Sequence, residues 1–154
     1  LDPEYLWTIK TIKMKNNIYP CLWFDGQAQA AAKFYCSIFK NAKITADNEM
    51  VVEFELNGKK FIGLNGGPLF KFNEAVSFVI DCETQEEIDY YWEKLTADGG
   101  SEGNCGWLKD KFGVSWQVVP TVLPKLLGNP DKASKVMEVY MKMKKFNIMA
   151  LENA

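Results

Sequence analysis

The chain has no histidine among its 154 residues. Imidazole is the commonest protein metal ligand and the usual general base near neutral pH, so its absence removes histidine-bearing metal centres and Ser-His or Cys-His pairs. The four cysteines, Cys21, Cys36, Cys82 and Cys105, form no C-x-x-C pair, which excludes a zinc knuckle and a thioredoxin-like motif. They read as free thiols serving as small apolar residues. No apolar run approaches the roughly 18 residues of a membrane helix, and the first fifteen residues carry charges where a signal peptide would be apolar. An excess of one charge is missing too: 18 Lys and Arg face 20 Asp and Glu, and Lys142, Lys144 and Lys145 read as the solvated side of a late helix. A cytoplasmic protein with no membrane and no nucleic-acid partner is expected.

What is present is globular material, 47% hydrophobic and 25% charged, at the length of one domain. Residues 1–13 read as an extension, either a tag or an extra strand carrying Trp7 and Ile9, ahead of a domain over 14–154. From Ile18 to Phe24 an aromatic and aliphatic run predicts a strand, closed by Asp25-Gly26, a turn suited to capping a helix. Ala28, Ala31, Phe34, Tyr35 and Ile38 then recur at helical spacing. Strands are expected at 43–46, 50–56 and 59–64, the last two joined by the hairpin dipeptide Asn57-Gly58.

The same order begins again at Ala75. A strand over 75–81 precedes the capping box Thr84 to Glu87 and a helix whose stripe is Ile88, Tyr91, Trp92 and Leu95. Strands at 107–110 and 114–119 follow. The chain therefore reads as two strand-helix-strand-strand-strand units about 57 residues apart, one over about 18–67 and one over about 75–120. A tail over 121–154 carries a short segment, Val122 to Leu127, and a longer helix from about Pro130 with Val136, Val139, Tyr140 and Met143 on its packed face.

Three places carry candidate chemistry. Glu53 and Glu55 share one strand face opposite Val52, Phe54 and Leu56, and a buried carboxylate there would make Glu53 a candidate general base; the competing reading is a solvated sheet face. Cys21 is a candidate nucleophile, with nothing nearby in sequence to lower its pKa. Asn65-Gly66-Gly67-Pro68 offers backbone donors to an anion or is simply a tight turn.

Several stretches in order carry a resemblance: Tyr19-Pro-Cys-Leu-Trp-Phe-Asp-Gly26, Phe34-Tyr35, Leu64-Asn-Gly-Gly-Pro68, Asp81-Cys-Glu-Thr-Gln-Glu-Glu87 with Trp92, Gly106-Trp-Leu-Lys-Asp110, and Gly113-Val-Ser-Trp-Gln-Val-Val-Pro120. Together they resemble the PhnB-like branch of the vicinal oxygen chelate superfamily, the glyoxalase and bleomycin-resistance proteins. The resemblance implies an α+β fold of two βαβββ modules, mixed sheets curled around a cavity, plus a C-terminal helix, in a homodimer. Some relatives carry a demethylubiquinone methyltransferase name, but this chain lacks the Gly-rich strand-to-helix loop such cofactor sites use. In metal-using members four ligands come from the first, fourth, fifth and eighth strands, which fall here on Tyr19, Gly63, Ala75 and Gln117. No metal and no cofactor is expected from such a set. The chain also has a short 45–50 segment and Leu69 where relatives often place a histidine after Gly-Gly-Pro.

Strand alternation on that alignment puts Tyr19, Cys21 and Trp23, then Phe61, Gly63 and Asn65, then Ala75, Ser77 and Val79, then Ser115 and Gln117 on the concave side. The function implied is metal-independent binding of a small, partly apolar or aromatic molecule, with Tyr19, Cys21, Trp23, Phe61, Asn65, Ser77 and Gln117 around it, as a sequestering or carrier protein. A metal-dependent lyase, isomerase or dioxygenase and a purely structural interaction module are the alternatives.

Overall fold

The computed structural model describes residues 16–154, so the expected extension at 1–13 lies outside the described residues. Strand β1 (Cys21–Phe24), helix α1 (Ala28–Ile38) and strands β2 (Lys43–Asp47), β3 (Val51–Leu56) and β4 (Lys59–Asn65) make the first unit. Strand β5 (Ser77–Cys82), helix α2 (Gln85–Thr96) and strands β6 (Ser101–Glu102), β7 (Trp107–Lys109) and β8 (Ser115–Pro120) make the second. The sheet orders are β1-β4-β3-β2 and β5-β8-β7-β6. In both units the first strand runs parallel to the last and the other pairings are antiparallel. The repeat expected from sequence is thus a structural repeat of two open four-stranded mixed sheets.

Local sequence explains most boundaries. Asn57 and Gly58 both adopt positive φ, 49° and 75°, the requirement of the tight turn between β3 and β4. Thr84 caps α2, its Oγ1 accepting from Glu87 N at 3.2 Å. Strand β6 is two residues long, too short to leave a period-two signal, and it was not located from sequence.

Asp25-Gly26 does not cap α1. The acceptor for Ala28 N is the Asn65 Oδ1 at the end of β4, 2.9 Å away, and Asn65 Nδ2 donates to Gln29 Oε1 at 2.8 Å. This cap comes from 37 residues further on, where no local pattern reveals it.

The helix-bearing faces of both sheets meet in one core. Tyr35 of α1 is fully buried and packs against Phe54 of the first sheet and Trp116 of the second, ring centroids 6.1 and 5.4 Å apart. Phe61 of β4 meets Phe78 of β5 edge-on at 5.4 Å, and Phe78 meets Trp116 at 5.3 Å. The opposite face of each sheet lies outside this core. Among the described residues no helix is long and apolar enough to cross a membrane.

The tail carries the expected short segment as a helix, but the longer helix expected from about Pro130 is broken in two. It is three pieces, α3 (Val122–Leu127), α4 (Ala133–Tyr140) and α5 (Ile148–Glu152). The interruption has a cause: Cys105 N and Gly106 N each donate at 2.8 Å, to Met143 O and Lys144 O, holding that stretch as a non-helical strap. Phe146, 1% exposed, fills the space over Gly106, where a Cβ would stand 2.4 Å from its ring. Val136 is fully buried, so the apolar stripe of α4 faces the body.

Candidate functional site

The residues expected to share one pocket are distributed over several environments. In register, β1 and β4 pair Leu22 with Gly63 and Trp23 with Leu64, so Gly63 shares a face with Leu22. That face carries α1: a Cβ on Gly63 would meet Val52, Ala28 and Phe24. Phe61 and Asn65, two residues either side, follow it, Phe61 stacking on Phe54 at 5.4 Å and Asn65 capping α1. Their expected place on the concave face is corrected by one residue of register, which in a strand exchanges the two faces. Ile62 and Leu64 stand on the outer face instead, opposite Glu53 and Val51.

Cys21 and Trp23 do lie on the outer face of the first sheet. Trp23 is engaged locally: its Nε1 donates to Gly67 O at 2.9 Å, its ring meets Phe70 edge-on at 5.0 Å, and it lies so close over Gly66 that a Cβ there would sit 2.3 Å from the indole. Gly66 and Gly67 therefore serve to seat Trp23, and no anion nest is needed to explain them. Glu53 pairs with Lys60 at 3.3 Å and Glu55 with Lys43 at 3.8 Å, all at least one-third exposed. This is the solvated face, so a buried-base role for Glu53 has no setting here. Glu53 in turn holds the Lys60 ammonium above its usual range.

Ser77 and Gln117 stand together on the outer face of the second sheet, Gln117 Nε2 donating to Ser77 Oγ at 2.9 Å. The Cys82 thiol is pushed up to about 12, first by burial and then by Glu87 and Asp81, and burial raises Cys36 as well.

Sequence reasoning missed a groove between the two units. One depression of about 540 Å³ is lined by Tyr19, Lys59, Lys60, Phe61 and Phe78. A second, also about 540 Å³, runs on from it over Phe39, Leu56, Tyr91 and Trp116, with Lys40, Asn57 and Asp81 at its rim. Lys59, Phe61 and Phe78 line both. Lys60 Nζ lies 4.4 Å from the centre of the Tyr19 ring, a cation over a π-face. Burial pushes the Tyr91 phenol up, so it offers a neutral hydroxyl. Of the seven residues expected around the ligand, this groove gathers Tyr19 and Phe61; the aromatic floor of Phe78 and Trp116 comes from the second unit, distant in sequence from both, and has no local signature.

The metal-binding strand positions do not fit a divalent ion. Gly63 faces α1 and has no donor, β4 offers only Ile62 and Leu64 beside it, Gln117 spends its amide on Ser77, and Tyr19 lies under Lys60. Among the described residues no three Cys, Asp or Glu side chains stand close enough to share an ion.

Twin βαβββ units with this strand order define the glyoxalase-like fold of the vicinal oxygen chelate superfamily. The family described as 3-demethylubiquinone-9 3-methyltransferase matches residues 16–119, and the chain belongs to that PhnB-like family. It is similar to the PhnB protein of Bacillus cereus, at 32% identity over 69% of this chain and 100% of that one, with a TM-score of 0.63. A glyoxalase-related enzyme from Fulvimarina pelagi shares the fold at 16% identity, covering 71% of this chain and 91% of that one, with a TM-score of 0.54. The fosfomycin resistance protein FosX of Listeria monocytogenes, solved with Mn(II) and sulfate, does so at 16% identity, 79% and 97% coverage and a TM-score of 0.53. No curated protein matches the chain.

Proposed function

We propose that this protein binds a small, partly aromatic or apolar molecule without a metal ion, as a sequestering or carrier protein, and does so as a homodimer. The observation that carries this reading is the pair of adjoining depressions of about 540 Å³ each that share Lys59, Phe61 and Phe78 in their walls. Each is within the size range of small-molecule sites, and aromatic walls with a few polar groups at the rim are their usual lining. Lys40 and Lys59 at the rim favour a ligand with an anionic group beside its aromatic part.

The dimer is supported by the edges of the sheets. Among the described residues, strands β1 and β5 each have a partner on one side only, and the residues along or just before them are apolar and exposed: Ile18 by 97%, Val76 by 66% and Val79 by 57%. An uncovered apolar strand edge is a template for pairing with another chain. Ile18 and Val79 also flank the groove, so a second copy docked there would roof it.

The activity in the family's description is not carried to this chain. Methyl donors derived from nucleotides are commonly cradled by a Gly-rich turn between strand and helix. Here the two such turns are Asp25-Gly26-Gln27 and Glu83-Thr84.

The test is titration of the purified, chelator-treated protein with 2-naphthoate, followed by Trp fluorescence and melting temperature. Saturable binding that raises the melting temperature is expected, weakened about tenfold by Tyr19→Ala or Lys59→Ala. Binding that requires added Mn(II), Zn(II) or Fe(II), or absence of saturable binding for 2-naphthoate, overturns the reading.

A further inference from the structure

The depression beside Phe39, Tyr91 and Trp116 carries both signs of charge. Its charged lining residues are Lys40, Lys59 and Asp81, all three exposed, and every other lining residue is neutral. Among the described residues none of the three belongs to an ion pair, whereas Lys43, Lys60 and Lys109 on the strands of the same two units each hold a glutamate.

The signs are divided between the units. Lys40 follows α1 and Lys59 opens β4, both in the first unit, and Gly58 N donates to Asn41 O at 3.3 Å, so a backbone bond between their chain neighbours brings the two lysines together. Asp81 lies on β5 of the second unit and pairs with neither. The apolar lining is largely aromatic. Phe39, Phe78 and Tyr91 are half-buried, so each presents part of its ring. Phe39 stacks on both Tyr91 and Trp116, each at 5.3 Å, and Phe78 meets Phe61 and Trp116 at 5.4 and 5.3 Å, which fixes the floor as one block.

We infer that the ligand of this depression is a free aromatic amino acid held as its zwitterion, with its ring on the aromatic floor, its carboxylate at Lys40 and Lys59 and its ammonium at Asp81. The assignment rests on the small-molecule reading of the groove and narrows it from an aromatic anion to a molecule bearing both charges. An anion alone would answer the lysines but bring its charge to a depression that also holds Asp81, and like charges brought together oppose binding. An ammonium on the same molecule offsets that repulsion and is attracted by the π-faces as well. The amino acid must be free, because peptide linkage on both sides neutralises the ammonium and the carboxylate. A volume of about 540 Å³ is ample for one two-ring side chain with its charged end. Since all three charged groups are exposed, each charge contact is worth only a fewfold in affinity.

The probes are L-tryptophan, indole-3-propionate, which lacks the ammonium, and tryptamine, which lacks the carboxylate. They are titrated at neutral pH into the full chain beside 2-naphthoate and followed by amide chemical shifts. Tryptophan is expected to saturate, to move the amides of 39–41, 57–61 and 78–81, and to bind about threefold tighter than either fragment. Asp81→Asn should weaken tryptophan and tryptamine about threefold and not weaken indole-3-propionate. Lys40→Gln combined with Lys59→Gln should weaken tryptophan and indole-3-propionate and not weaken tryptamine. The three positions are exposed, so these variants are expected to fold. Indole-3-propionate binding as tightly as tryptophan, or unchanged tryptophan affinity in Asp81→Asn, would overturn the zwitterion while the small-molecule reading stands. Saturation by 2-naphthoate with none by tryptophan, or shifts centred outside those segments, would overturn it in the same way. Absence of saturation by all four compounds would overturn both.

Discussion

At the scale of single residues the most consequential side chain is Asp110, a carboxylate 2% exposed in the core. Its Oδ2 accepts from Tyr35 Oη at 2.6 Å and from Trp116 Nε1 at 2.9 Å, and its Oδ1 from the backbone N of Phe112 and Val114 at 2.9 and 3.1 Å. Tyr35 belongs to the first unit and Trp116 to the second, so one carboxylate ties the two together. Burial raises its pKa above the ordinary carboxylate range although all four donors work against that. The folded state therefore keeps a proton that the unfolded chain has already released, and stability falls as pH rises through that interval. Tyr35→Phe is expected to cost about 1.5–3 kcal/mol in urea unfolding, the value of a hydrogen bond to a charged group. Asp110→Ala, which orphans four donors, should cost about 3–5 kcal/mol and abolish this pH slope. The double variant should cost less than the sum, because the pair shares one interaction, and strict additivity would refute the tie.

Elements show which part of this structure was legible in the sequence. The element order was readable throughout the first unit, and in the second for every element but the two-residue β6, because period-two and period-3.6 apolar patterns, the Asn57-Gly58 turn and the Thr84 cap are all local signals. Asn65 on α1, the one-residue shift of face along β4 and the break in the tail were not readable, because each is decided by a contact between segments distant in the chain. The candidate site was less legible still: Tyr19 and Phe61 were found, while Phe78 and Trp116 reach the groove only through tertiary packing. The tail illustrates the point. Gln85, in the first turn of α2, donates through Nε2 to Phe146 O at 3.0 Å and accepts at Oε1 from Ile148 N at 2.9 Å. One side chain thus replaces the pairing that two backbone groups lose where the helix is interrupted. Gln85→Ala is expected to cost about 1–2 kcal/mol and to speed amide exchange selectively from Phe146 to the chain end. Uniform acceleration throughout the chain would mean that Gln85 supports the whole fold rather than the strap.

For the molecule as a whole, the distribution of apolar surface decides what association is possible. The core between the units uses the helix-bearing faces, leaving β1 and β5, among the described residues, as uncovered edges with exposed apolar residues beside them. Natural sheets protect lone edges with charge, above all lysine. The other two edge strands follow that rule or are minimal: β2 opens with Lys43, paired with Glu55, and β6 has two residues. The contrast between blunted and unblunted edges within one chain makes β1 and β5 the edges that the proposed second copy would cover. Sedimentation at micromolar concentration is therefore expected to show a species of two copies. Val76→Lys combined with Val79→Lys should return it to a single copy without loss of secondary structure, since both side chains are more than half exposed. If the wild type sediments as one copy, or the double variant still sediments as two, these edges are not the interface and the groove must function without a roof.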